Sequence, residues 1–196
     1  MLRLVVFAIA AGLVGTYVFH QLERRRLELV AQIRAAFLAL QPGSVEAPAL
    51  LKEVHLRNAA VHFRVPQAWA EEYRGDDSGR FQALNGSGRV LDVSSSTVPA
   101  SPAEVADVLR ARTKGYGLTT VETLPSGDVL LKALSEARGG GERTVCFVWL
   151  IGRPLSTDRL RVASFRFSAP LATAHDVLTR NEVVRVEGEV RAARLA

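Results

Sequence analysis

From about Leu51 onward the chain reads as short strand-like segments closed by tight turns, and this rhythm limits the fold more than any other feature. Val61, Phe63 and Val65 alternate at the period of two within Val54 to Val65. Phe81 to Leu84 and Val90 to Val93 flank Asn85-Gly86-Ser87-Gly88, where Asn and Gly accept the positive φ of a hairpin turn. Leu118 to Leu124, a turn at Pro125 to Asp128, and Val129 to Ala137 follow. A Gly139-Gly140-Gly141 turn leads into Arg143 to Ile151, the most apolar of these segments, and Arg159 to Ser168 completes the series. Two helices interrupt it. Ser101-Pro102-Ala103-Glu104 combines a Ser N-cap, Pro at the first position and a Glu able to complete a capping box. A closing helix is expected after Pro170, with Thr173 as N-cap, Asp176 in the first turn, and Asn181 and Gly188 as weak points. Strands joined by short turns pair antiparallel, so the expected class is α+β, a mainly antiparallel sheet with packed helices.

The N-terminus is different in character. Leu4 to Phe19 (LVVFAIAAGLVGTYVF) is uncharged, and extension through Leu22 brings it near the minimum for a helix crossing a bilayer. Residues 1–22 are therefore expected to be a transmembrane anchor. A cleaved signal peptide competes, but Ala8-Ile9-Ala10 comes too early for a peptidase site and the run ends in bulky residues. A buried soluble helix is the third reading. Residues 23–40 read as an amphipathic juxtamembrane helix, with packing on its own domain, self-association or lipid contact left open. Together the two segments could form one rod. Arg24 to Arg26 after the span give a slight lean toward a cytoplasmic domain. Residues 41–50, with Pro42-Gly43-Ser44, read as a linker, and 51–196 as one domain.

Within that domain, Phe63-Arg64-Val65-Pro66-Gln67-Ala68-Trp69 resembles the opening F-x-V-P-x-x-W strand of the PsbP/Mog1-like superfamily. The hairpin, the Ser94-Ser95-Ser96 stretch, the helix at Pro102, the long meander and the terminal helix also resemble that fold, over roughly residues 52–190. The resemblance implies an adaptor or assembly factor without catalysis. Phe63, Pro66 and Trp69 are the residues that it touches, and their roles are structural.

Searching the residues for chemistry gives little. His55 and His62 are seven apart, and an odd separation within one strand puts side chains on opposite faces, a poor arrangement for a metal pair. His175-Asp176 suits a helix start better than a catalytic dyad, and Cys146 lies in an apolar strand where a thiol is inert. No nucleophile elbow, phosphate loop or H-E-x-x-H pair occurs. Glu71, Glu72, Asp76 and Asp77 share a polar loop with Arg74 and Arg80, which reads as a solvated stretch or a weak divalent-ion site. Tyr73, Arg153 and the Pro154 to Asp158 connection suit protein contact better than chemistry. The formal charge is +5, from 25 basic and 20 acidic side chains. Over half of that excess falls in residues 1–40, and Arg57, Arg64, Arg159, Arg161 and Arg166 are nearly balanced by acids in the domain, so nucleic acid is not an expected partner.

The sequence therefore reads as a single-pass cell-membrane protein carrying a non-catalytic accessory domain, with the side of the membrane unresolved. Its expected partners are a membrane protein or membrane-associated complex and, through the N-terminal helix, the lipid bilayer, with homo-oligomerisation through 21–40 a further option. No catalytic, cofactor-binding or metal residue is assigned, and no cofactor is expected. Two alternatives stand beside this: a small-ligand or lipid-binding module, which needs an apolar cavity between helix 102–114 and the sheet, and an enzyme of unknown class.

Overall fold

The computed structural model describes residues 2–38, 50–56, 61–84, 87–117, 119–139 and 142–196; the side chains of 2–18, 38, 138 and 139 lie outside that description. The chain forms two compact units, Met1–Ala36 and Phe37–Ala196.

The first unit belongs to α1, one continuous helix over Leu2–Leu38. Its described part is fixed by local ion pairs: Arg24 Nε lies 3.2 Å from Glu28 Oε1, and Arg26 Nη2 lies 2.8 Å from Glu23 Oε2. The two N-terminal segments of the expectation are continuous in this one helix. Among the described residues no helix is long and apolar enough to cross a membrane. The described portion from Phe19 onward carries Glu23, Arg24, Arg25, Arg26, Glu28 and Arg34, which break any apolar window. The apolar stretch of the expectation, Leu4 to Val18, falls where side chains lie outside the described residues. Among the described residues the transmembrane anchor expected at 1–22 is thus not supported, and with it the single-pass cell-membrane localisation, the bilayer as partner, and membrane anchoring as part of the function lose their support. The linker expected at 41–50 falls almost wholly outside the described residues.

Among the described residues the second unit holds ten strands in two antiparallel sheets. β1 (Leu51–Leu56), β2 (Val61–Pro66) and β10 (Arg194–Leu195) form a three-stranded sheet in the order β1-β2-β10. β3 (Trp69–Tyr73), β4 (Ser78–Ala83), β5 (Val90–Pro99), β6 (Thr120–Thr123), β7 (Val129–Gly139), β8 (Glu142–Pro154) and β9 (Arg159–Pro170) form a seven-stranded sheet in the order β3-β4-β5-β9-β8-β7-β6. The α+β class and antiparallel pairing expected from the turn spacing are present.

Side-chain parity assigns the layers. In β8, Cys146, Val148 and Leu150 join Leu131 and Ala133 of β7 in a cluster under Val105 and Leu109 of α2 (Val105–Arg112). A Cβ on Gly152 would come 2.6 Å from Val105 Cγ1, so the helix sits directly on backbone there. The opposite face of β8 and β9 carries Phe147, Trp149, Phe165 and Phe167; the second layer meets it through Phe63 of β2, packed edge-on against Phe81 and Phe165 at 5.5 and 5.4 Å, while Trp69 of β3 stacks on Phe167 at 6.2 Å within the seven-stranded sheet. Burial on both faces explains why β8 is apolar almost without alternation, whereas β2, with one face outward, alternates strictly. The Phe63 and Trp69 of the motif are core residues.

Three local expectations are revised. Val54 to Val65 is two strands of a hairpin. The polar stretch from Glu71 to Arg80 is mostly the β3–β4 edge hairpin, with β3 outward-facing after Trp69. The last helix, α3 (Val177–Ala192), begins after an extended Asp176, since Thr173 is used in a turn whose amide bonds the Pro170 carbonyl; neither Asn181 nor Gly188 divides it. The start at Ser101 is as expected, because Glu104 Oε2 accepts from Ser101 N at 2.8 Å and from its hydroxyl at 2.7 Å.

Candidate functional site

The outward face of the three-stranded sheet holds an open concavity. Alternation in β1 and β2 turns Val54, Leu56, Val61 and Phe63 inward and Glu53, His55, His62 and Arg64 outward. The register sets His55 directly opposite His62, and His62 directly opposite Arg194. These residues, with Glu189 and Ala192 of α3, line an open groove of about 490 Å³. Arg64 donates to both carboxylate oxygens of Glu189, at 2.8 and 2.9 Å, an arrangement that holds its own pKa above the usual value. His55 Nδ1 and His62 Nδ1 are 2.7 Å apart, with rings at 89°. His55 Nε2 lies 3.7 Å from Glu53 Oε2. A second, smaller hollow of about 280 Å³ lies beside His55, lined also by Tyr73, Gly75 and Asp76. The parity argument that separated the two histidines assumed one continuous strand; across a hairpin, cross-strand pairing decides which residues meet.

Beneath α3 lies a buried charged network. Lys132 Nζ donates to Glu187 Oε1 at 2.9 Å, and both side chains are only 2% exposed. Trp149 Nε1 donates to Glu187 Oε2 at 3.3 Å, and Arg191 donates to Glu187 Oε1 and bridges to Glu122 at 2.6 Å. Phe37 closes one side, its ring centroid 5.0 Å from the ammonium. Burial works against the charge on Arg191, but the two carboxylates more than offset it and raise its pKa. Every member has an internal partner, so the network is part of the fold's interior.

The remaining sequence candidates are dispersed. His20 and His175 are exposed, the latter 3.8 Å from Asp176. Cys146 is buried with its sulfur 3.4 Å from the Ser168 hydroxyl. Glu71 pairs with Lys52 at 2.6 Å and accepts from the Tyr73 hydroxyl at 2.6 Å; the Lys52 and Tyr73 hydrogen bonds hold its carboxyl below the usual range. Burial, then the Glu71 bond, pushes Tyr73 up to about 12. Glu72 pairs with Arg74. Among the described residues no three acids, histidines or cysteines group as a metal cluster. Arg153 is tied to both oxygens of Asp128, at 2.7 and 2.8 Å, and to the Leu195 carbonyl, while β4, β5 and β9 separate its strand from that of Tyr73. The two do not form one surface. Nor does α2 leave room for the cavity a ligand-binding module would use, since Val105 and Leu109 fill its contact with the sheet.

No family model matches the chain, and no curated protein matches it. Among solved structures it is similar to one from Bacteroides thetaiotaomicron, at a TM-score of 0.50 and 13% identity, over 74% of this chain and 48% of that one. This chain therefore spans about half the length of that protein. It is also similar to the Saccharomyces cerevisiae Ran-binding protein Mog1p, at a TM-score of 0.49 and 16% identity over 76% and 96% of the two chains. The cyanobacterial PsbP of Synechocystis gives 0.48 and 12% over 81% and 99%. Identities this low concern the fold alone, and the fold they concern is an antiparallel α+β domain.

Proposed function

We propose that the chain is a non-catalytic protein-interaction domain, and that its contact surface is the outward face of the β1-β2-β10 sheet. The observation that carries this reading is the groove itself: an open concavity of about 490 Å³ whose charged side chains are held in place by neighbours on rigid strands. Glu53 and Arg194 present opposite charges at this face, which suits a partner segment of mixed charge. Among the described residues β1 ends the sheet, which suits its outer edge to an extended peptide. The similar yeast structure is of a protein that binds Ran, but for this chain the groove, and not that likeness, supports the reading.

The test compares proteins captured by the wild-type chain with those captured by Glu53→Lys and Arg194→Glu, in extracts of the cells that make it. A partner retained by the wild type and lost by both variants is the expected result. Identical sets for all three would overturn the assignment of this face.

A further inference from the structure

We infer that His55 and His62 form a binding site for a borderline transition-metal ion of the zinc or copper class. Cross-strand register places the two rings side by side on an exposed face, and it turns the same nitrogen of each, Nδ1, toward one point. Two imidazole nitrogens at 2.7 Å repel each other's lone pairs unless something positive lies between them. Here one ring meets that need by donating its Nδ1 hydrogen to the Nδ1 of the other. A metal ion performs the same task for both lone pairs at once.

The geometry requires only a small adjustment. Two nitrogens at about 2.0 Å from a tetrahedral zinc stand about 3.3 Å apart, so the rings must separate by about 0.6 Å. Both side chains are exposed and face open space, so no packed neighbour opposes this movement. The surroundings of His55 point the same way. Its other nitrogen, Nε2, lies 3.7 Å from the Glu53 carboxylate, beyond hydrogen-bond reach but close enough for that negative charge to favour a bound cation. Arg64 would otherwise repel a cation, but its charge is already matched by Glu189.

Imidazole donors select zinc, copper or nickel over magnesium and calcium, which take oxygen ligands. Among the described residues no third histidine, cysteine or acid joins the pair as a ligand group, so the remaining positions open on the groove and take water or an anion. Arg194, opposite His62 on β10, favours the anion. This inference is independent of the proposed function.

The experiment uses the purified, tag-free chain alone, titrated with Zn2+ by calorimetry and with Cu2+ by electron paramagnetic resonance. One saturable equivalent with nitrogen hyperfine structure is expected. His55→Ala and His62→Ala should each weaken binding by at least about tenfold, Glu53→Gln by less, and His175→Ala not at all. Absence of saturable binding, or equal binding by the wild type and both hairpin variants, would overturn the site. No partner is present in this measurement, so its failure would leave the protein-interaction reading untouched.

Discussion

Lys132 Nζ and Glu187 Oε1 lie 2.9 Å apart in the interior, joining the middle of β7 to the last turns of α3. Such a pair adds little net stability compared with apolar residues of the same shape, because both charges lose their hydration. Loss of one partner is different and unequal: without Glu187 the Lys132 ammonium is left buried and unmatched, whereas without Lys132 the Glu187 carboxylate keeps Arg191 and Trp149. Glu187→Leu alone should destabilise the domain by about 3–5 kcal/mol in urea unfolding and Lys132→Met by less, whereas adding Lys132→Met to Glu187→Leu should recover part of that loss. Additive losses would show that the two do not act as a pair.

Gly152 lets α2 approach the sheet. Gly152→Ala would place its Cβ 2.6 Å from Val105 Cγ1, a contact that must be relieved by movement. The expected loss is about 1–3 kcal/mol. Val105→Ala removes the clashing methyl groups, so the two substitutions together should cost less than the sum of each alone in a thermal or denaturant titration.

Arg153 holds Asp128 by two bonds and also donates to the Leu195 carbonyl, linking β8 to the β6–β7 turn and to β10. Asp128 is buried, so Arg153→Ala should cost about 2–4 kcal/mol and Arg153→Lys nearly as much, because an ammonium cannot span both oxygens. Full retention of stability by the Lys variant would disprove the need for the planar fork.

The edge pair Glu71 and Tyr73 carries a pH signature. Tyr73 titrates at about 12 against 10.0 for a free phenol, so its contribution to stability is complete below pH 10 and is lost as pH rises through 12. Glu71 is shifted down, so its contribution is present above 4.5 and is lost as pH falls through its lowered folded value. Ultraviolet titration of phenolate, compared with Tyr73→Phe, should assign a late step to Tyr73, moved part of the way toward 10 by Glu71→Gln, with burial retaining the rest. An unchanged titration would exclude the Glu71 bond as a cause.

The elements legible in the sequence were those whose cause is local. The Ser101–Glu104 box, the β4–β5 hairpin and the alternation of Val61, Phe63 and Val65 each arise from neighbours in the chain. What stayed hidden depends on distant partners. Arg57-Asn58-Ala59-Ala60 contains no Gly or Pro, so nothing marked a break between the two histidines, and their pairing was lost with it. Lys132 looks like a surface residue until Glu187 is set beside it. β10 is two residues long, too short for any period to register. The long apolar N-terminal run prompted a bilayer reading that the described helix does not support.

The central place of β9 has a consequence for synthesis. Its pairing with β8 is local, but its pairing with β5 joins Val90 to Ser168 and Pro99 to Arg159. β3, β4 and β5 therefore leave the ribosome well before the strand that receives them exists. They must wait with one edge of β5 unpaired until the last quarter of the chain appears, and that open edge is a hazard for the interval. In refolding, pulse-labelled amide exchange should protect β7 to β9 ahead of β4 and β5, so the order of assembly runs against the order of translation.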